Sequence, residues 1–252
     1  MICRLCLQDK ELQRSHLVPE FLYRPLYDYP DEGPKKRFYR TGFGIAVKRN
    51  FEQKGLREKL LCRECEDHIN NQCEDYVAGI WPEIWTRLAA QSENSPQQIE
   101  FNVDYKKLKL FQLSLLWRTS ISSLPDFADI KIGKPEIDHG DFTYTRHEER
   151  IRKMLLNGNP GEEYDYGCII LYSPKLTKNI QDTLGFCDNK RIDNYRRYSI
   201  FIHGTSWNYI VSSHMERFIY KDKFLQKDRT LPVFFDFGII KKNLLKLRNL
   251  PH

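Results

Sequence analysis

Two Cys-x-x-Cys pairs, Cys3 with Cys6 and Cys62 with Cys65, offer four thiolates, the ligand set of a closed tetrahedral structural zinc site. The stretch between the pairs is long, but the entropy of closing a loop grows only slowly with length, so one shared ion is reasonable. The other uses of such pairs are a dithiol redox couple or free buried thiols. Neither pair sits in a βαβ pattern, which favours the metal. Between the pairs stands His16 in Ser15-His16-Leu17-Val18-Pro19, and Glu66 follows Cys65 directly. Histidine titrates near neutrality and suits proton transfer; a glutamate is a hard ligand for Mg²⁺ or Mn²⁺. The bland uses are a histidine bonded to backbone, a Ser15 N-cap and a Glu66 favoured by a helix dipole.

The charge is uneven. The chain has a formal net charge of +6. Yet residues 33–65 alone hold ten basic residues (Lys35, Lys36, Arg37, Arg40, Lys48, Arg49, Lys54, Arg57, Lys59, Arg63) against three acids, leaving the remainder near neutral. With Phe38, Tyr39 and Phe43 interleaved, this stretch is expected to contact nucleic-acid phosphates rather than form only a solvated face. Lys190, Arg191, Arg196 and Arg197 form a second basic cluster, read either as more of that surface or as a solvated hairpin.

The elements that must position these groups follow from pattern. Residues 1–75 read as a short, loop-rich zinc module punctuated by Pro25, Pro30, Gly33, Pro34, Gly42, Gly44 and Gly55, with a hairpin in RFYRTGFGIAVKRNFE and a helix starting near Cys65. Residues 76–252 read as an α+β region, helices over about 76–158 and antiparallel strands over about 164–240. Its central helix is expected after an Asp104 N-cap, with Leu108, Phe111, Leu115 and Ile121 at helical spacing and Pro125 beyond. On that helix Trp117 reads as packing and Arg118 as a buried or interfacial partner of an acid. Another helix over RHEERIRKMLLNG ends at a glycine, and Gly204-Thr205 marks a hairpin turn.

The order of these parts resembles the HNH endonucleases, His-metal finger enzymes of treble-clef build that include forms with a four-cysteine zinc. Cys3, Cys6, Ser15, His16, Leu17, Val18, Pro19, Leu61, Cys62, Cys65 and Glu66 carry the resemblance. The stretches LLCRECEDHINNQCEDY, LSLLWRTSIS and RHEERIRKMLL look like features of a bacterial HNH-like group of ill-defined role, so the likeness extends over most of the chain. It implies His16 as general base, and Ser15 and Glu66 at the positions that hold a catalytic Mg²⁺ or Mn²⁺, with Asn70 one turn on from Glu66. It implies DNA, ahead of RNA, as substrate, and a setting such as phage defence. Ser15 departs from the family, which usually has Asp, Glu or His there, and a neutral hydroxyl is a poor substitute for an anionic ligand. The alternative is a catalytically inactive zinc module that binds nucleic acid or protein.

At 252 residues, 40% hydrophobic and 29% charged, the chain has the composition of a globular protein with a real core, not of a disordered one. No apolar run approaches a bilayer span and no leader pattern opens the sequence, so a cytoplasmic protein with no membrane contact is expected. A protein partner would engage the region after residue 75. Cys73, Cys168 and Cys187 read as small buried hydrophobes, and His139, His147, His203 and His214 as structural.

Overall fold

The computed structural model describes residues 1–23, 38–40, 50–52, 55–91, 97–140, 142–173, 183–192, 195–212 and 218–235. Mixed helices and strands make up the expected α+β architecture. Strand β1 (Leu12–His16) leads into one helical turn, α1 (Glu20–Tyr23). Strands β2 (Phe38–Arg40) and β3 (Asn50–Glu52) pair antiparallel, as the aromatic and β-branched content between the cysteine pairs predicts. Strand β4 (Arg57–Cys62) then returns along β1, with a bulge where the register shifts between Gln13 and Arg14.

A helical run follows without interruption: α2 (Arg63–Ile69), a π turn over Asn70–Glu74, and α3 (Asp75–Ala89), which contains Pro82. The expected division at residue 75 therefore falls inside a helix. Next come β5 (Gln98–Asn102) and α4 (Tyr105–Ile121), whose N-cap Asp104 accepts a hydrogen bond from the Lys107 amide. The sequence pattern predicts one apolar stripe on α4, but every residue from Leu108 to Ile121 is buried. Some of its buried polar side chains find partners: Lys109 Nζ donates to the Glu163 carbonyl at 3.1 Å, and Thr119 Oγ1 to Leu115 O at 2.8 Å, whereas the Gln112 amide is buried without a hydrogen-bond partner.

After a 3₁₀ segment (Pro125–Ile130) and the pair β6 (Pro135–Asp138) and β7 (Thr143–Thr145), helix α5 (Arg146–Leu156) starts from a complete capping box between Thr145 and Glu148. The remaining strands are β8 (Cys168–Tyr172), β9 (Thr183–Ile192), β10 (Tyr195–Ile202), β11 (Thr205–Val211) and β12 (Thr230–Phe235). His203 and Gly204, at φ 44° and 71°, form the two-residue turn between β10 and β11, one residue earlier than the expected Gly204-Thr205, because Thr205 already pairs with Ile202.

One eight-stranded sheet runs in the order β3-β2-β9-β10-β11-β8-β12-β5. It is not wholly antiparallel, as expected from sequence: β12 pairs parallel with β8 and β2 parallel with β9. Strands from the amino-terminal region thus extend the sheet of the later region. Among the described residues one large apolar cluster runs from Cys3 and Leu17 through Trp117 to Val233, beside a smaller one of Ile210, Phe218 and Phe224. No helix among the described residues is long and apolar enough to cross a membrane.

Candidate functional site

The sulfur atoms of Cys3, Cys6, Cys62 and Cys65 all lie within 4.8 Å of one another. A tetrahedron of Zn–S bonds near 2.3 Å sets its sulfurs about 3.8 Å apart, and Cys6 and Cys62 stand at 4.0 Å. All four are free thiols and three are buried. Together they could hold a zinc ion. Without a cation, four thiolates cannot share this volume. Cys3, hydrogen-bonded by Cys65, is drawn down to about 4, whereas burial pushes Cys62 up to about 11. Interaction with the Cys3 sulfur raises Cys65 as well. A dication reverses that opposition, because it stabilises every thiolate at once.

Backbone geometry makes the cluster rigid. The Cys62 amide donates to Cys3 Sγ at 3.3 Å, and the Arg4 amide to the Leu60 carbonyl at 2.9 Å, fixing the first knuckle against β4. Later parts of the chain grip the same knuckle: Tyr144 Oη donates to Arg4 O, and Arg152 Nη1 to Leu5 O, each at 2.6 Å. Arg152 is itself held by both oxygens of Glu149, at 2.7 and 2.8 Å.

His16 ends β1 opposite Arg57 of β4. The Arg57 Nε–H donates to His16 Nε2 at 2.8 Å, so that nitrogen presents its lone pair to the guanidinium. Leu17 and Val18, wholly buried, anchor the chain just beyond. Ser15 faces the other way. Its hydroxyl accepts from the Leu61 amide at 3.3 Å, beside the bulge, and the residue is 2% exposed.

Glu66 lies in the first turn of α2 and Glu74 closes the π turn. In an unbroken α-helix a residue eight positions on is rotated about 80° away. The wider π turn brings Glu74 back into line with Glu66, and both reach the same guanidinium. Arg118 Nη1 lies 2.8 Å from Glu74 Oε1, an ion pair out of line for a hydrogen bond, and Nη2 lies 3.8 Å from Glu66 Oε2. Arg118 Nη1 also donates to the His16 carbonyl at 2.9 Å. Burial works against the Arg118 charge, but the two carboxylates outweigh it and its pKa is raised. Burial also raises Glu74, against the pull of Arg118. Glu66 Oε1 is buried without a hydrogen-bond partner.

The structure thus joins the backbone of His16 to Glu66 through Arg118, and leaves two expected ligands elsewhere. Ser15 is engaged with β4, and Asn70 is exposed, donating to Asp75 Oδ1 at 2.8 Å. Asn70 stays one helical turn on from Glu66, its amide donating to the Glu66 carbonyl, but its side chain is turned to Asp75, and it is Glu74, brought round by the π turn, that shares Arg118 with Glu66. Arg118 is the buried partner of an acid that its place in α4 predicts; its contact with His16 has no local signal, since 102 residues separate them. The Arg57 contact is a cross-strand pair, visible only once the β1–β4 register is known.

Of the basic residues between the knuckles, Lys35, Lys36, Arg37, Lys48, Arg49 and Lys54 lie outside the described residues. Arg40 ends β2, opposite Asn50 and beside Leu184 of β9. Cys73 and Cys168 are buried as expected; the side chain of Cys187 lies outside the described residues. His68, directed away from the Glu66 face, is 3.1 Å from Leu155 O and 2.8 Å from Gln72 Nε2. No protein-family model, curated protein or solved structure matches the chain.

Proposed function

We propose that this chain is a zinc-stapled, HNH-like endonuclease of treble-clef build that hydrolyses phosphodiester bonds in nucleic acid, DNA ahead of RNA. The observation that carries this reading is the arrangement around the sulfur cluster. Strand β1, ending in His16, lies against the strand and helix that bear the second cysteine pair and Glu66, and Arg118 touches both. Zinc suits the four-thiol cluster as a structural ion, with all four positions filled by protein.

In this reading His16 Nε2 takes the proton from the attacking water. Its lone pair is engaged by Arg57, which must turn away first; the oxygen of a bound phosphate is a stronger acceptor for that guanidinium than a neutral imidazole. The free Glu66 Oε1 suits a hard cation, and Mg²⁺ or Mn²⁺ is commonly held by one or two carboxylates completed by water and substrate phosphate. Such an ion would offset the charge developing on the phosphate and leaving oxygen. Arg118 holds the main chain of His16 and the other Glu66 oxygen in fixed relation.

One specific observation favours a second reading, a non-hydrolytic module that binds nucleic acid. Ser15 and Asn70, two of the four expected catalytic positions, are committed to internal contacts, and Glu66 is half committed. Incubating the protein with Mg²⁺ or Mn²⁺ and single- or double-stranded DNA and RNA separates the two. Cleavage that His16→Ala abolishes and that needs added cation supports hydrolysis. Cleavage equal in both proteins removes His16 from the mechanism, and binding without cleavage selects the second reading.

A further inference from the structure

The ribbon of β1 and β4 that ends in His16 carries a second rung of charge. Arg14 lies directly opposite Lys59, Ser15 opposite Glu58 and His16 opposite Arg57. Side chains alternate along a strand, so the Arg14–Lys59 and His16–Arg57 rungs share one face and the Ser15–Glu58 rung takes the other. Burial and bonding agree. Ser15 is buried on the Leu61 amide, and Glu58 accepts from the Ser122 and Ser123 hydroxyls at 2.7 and 2.6 Å. Arg14 and Lys59 are exposed, and His16 and Arg57 are half-buried. Past Arg14 the bulge breaks the alternation, and Leu12 and Leu60 turn into the core, so this outer face is two rungs long.

Directly opposed like charges in such a ladder sit close and repel. Among the described residues neither Arg14 nor Lys59 forms an ion pair. The acids near them in sequence are taken: Glu58 is held on the other face, Glu64 pairs with Lys10 and Asp67 with Arg63. Arg57 meets the uncharged Nε2 lone pair of His16. Three cations thus stand on one face with no carboxylate among the described residues to offset them. The arrangement opposes itself in the free chain and becomes favourable when phosphates lie along it.

Alternate residues of a strand stand about 6.7 Å apart, close to the step between successive phosphates of a nucleic-acid backbone. We propose that the Arg14–Lys59 rung binds the phosphate next to the one at His16 and Arg57, so that one substrate strand lies along the β1–β4 ribbon. The inference rests on the nucleic-acid part of the proposed function, which brings a phosphate to Arg57, and is independent of hydrolysis. Arg14 and Lys59 touch backbone alone, so they contribute affinity and register with little choice of sequence. Standing one phosphate away from the reacting bond, they act on KM more than on kcat.

The test is fluorescence anisotropy of the full chain with a labelled oligodeoxynucleotide, single-stranded and as its duplex, without added Mg²⁺ or Mn²⁺ and between about 50 and 200 mM salt. Arg14→Gln with Lys59→Gln should weaken duplex binding about 10-fold or more at the lower salt. It should also flatten the logarithmic salt slope by about 0.9, the share of one phosphate. Lys106→Gln with Lys107→Gln removes the same charge from exposed positions at the start of α4 and should leave the slope as in wild type. Lys59→Glu, which gives Arg14 an acid to face, should weaken binding further yet raise Tm by about 1–3 °C, a combination that damage to the fold does not produce. Equal losses in the two double variants would mean that binding follows net charge, and overturn the proposal. A wild-type protein that binds neither oligonucleotide removes it together with the nucleic-acid reading. An unchanged slope in Arg14→Gln with Lys59→Gln, beside cleavage that His16→Ala abolishes, removes the rung and leaves hydrolysis standing. Binding weakened in that variant, where no cation brings cleavage, upholds the rung and removes hydrolysis.

Discussion

Arg118 reaches across 102 residues of chain to donate to the carbonyl of His16 at 2.9 Å, and it does so from a position 1% exposed to solvent. The same guanidinium faces Glu74 and Glu66, so one buried cation is shared by a strand end, a helix start and a π turn. Removing one member of a buried charge pair strands the other, which costs more than the pair itself contributes.

Arg118→Met should therefore lower stability by about 3–5 kcal/mol. Adding Glu74→Gln should recover part of it, because the uncompensated carboxylate is gone. The single variant also carries a pH signature. Burial already raises Glu74, and losing Arg118 raises it further. A carboxyl with a folded pKa above its unfolded value binds more protons in the native state, so stability falls as pH rises through that interval. Urea denaturation at pH 5 and pH 8 checks this: Arg118→Met should be more stable at pH 5 than at pH 8, relative to wild type. A loss below about 1 kcal/mol would mean that the charges are solvated after all.

The sulfur cluster gives a prediction about metal. Metal analysis should find about one zinc per chain, the number that one four-thiolate site binds. Cys62→Ser, or treatment with a strong chelator, should cost on the order of 3 kcal/mol or more. For a chain of this size, that lowers Tm by roughly 6–12 °C. A metal-free preparation with wild-type Tm would show that the four thiols are merely neighbours.

His203 links fold to pH. Its ring stacks on Trp85 at 3.9 Å, its Nδ1 is buried without a partner, and burial lowers its pKa to about 4. Between pH 6.5 and about 4 the unfolded chain binds the proton and the native chain does not. Stability is then complete above pH 6.5 and declines as pH falls towards 4, by at most about 3.4 kcal/mol. His203→Asn, which suits the positive φ of this turn, should flatten that part of the Tm profile. An identical pH slope in the variant would assign the titration elsewhere.

Gly167 tests the sheet. A Cβ there would lie 2.3 Å from Cε2 of Phe224, whose ring is fully buried. Gly167→Ala should cost about 2–3 kcal/mol, and Phe224→Leu should cost less in that background than in wild type, since each residue then makes room for the other. Additive losses in a thermal unfolding cycle would refute the contact.

How far the sequence could be read depended on whether a feature was local. The Asp104 cap, the α4 span, the β10–β11 turn and the two cysteine pairs are short patterns with a physical cause within a few residues, and all appear. The all-round burial of α4 is hidden in the sequence because Lys109 and Gln112 look like a solvent face until their neighbours are known. The alignment of Glu74 with Glu66 depends on a π turn for which composition gives no signal. The contacts of Arg118 with His16 and of Arg57 with His16 depend on tertiary placement and strand register, which spacing alone does not supply. The mixed direction of the sheet was missed because β2 and β12 join it from distant parts of the chain.

Strand β2, paired on one side with β3, has its other sheet neighbour in β9, about 140 residues later. During synthesis the four sulfurs can gather once Cys65 has left the ribosome, but the rib formed by Phe38, Tyr39 and Arg40 waits for Thr183 and Leu184 to emerge. A fragment cut at residue 75 would leave that edge without its native partner, a template for stray pairing with other chains. The nascent protein must therefore be extended as far as β9 before its first hairpin is seated.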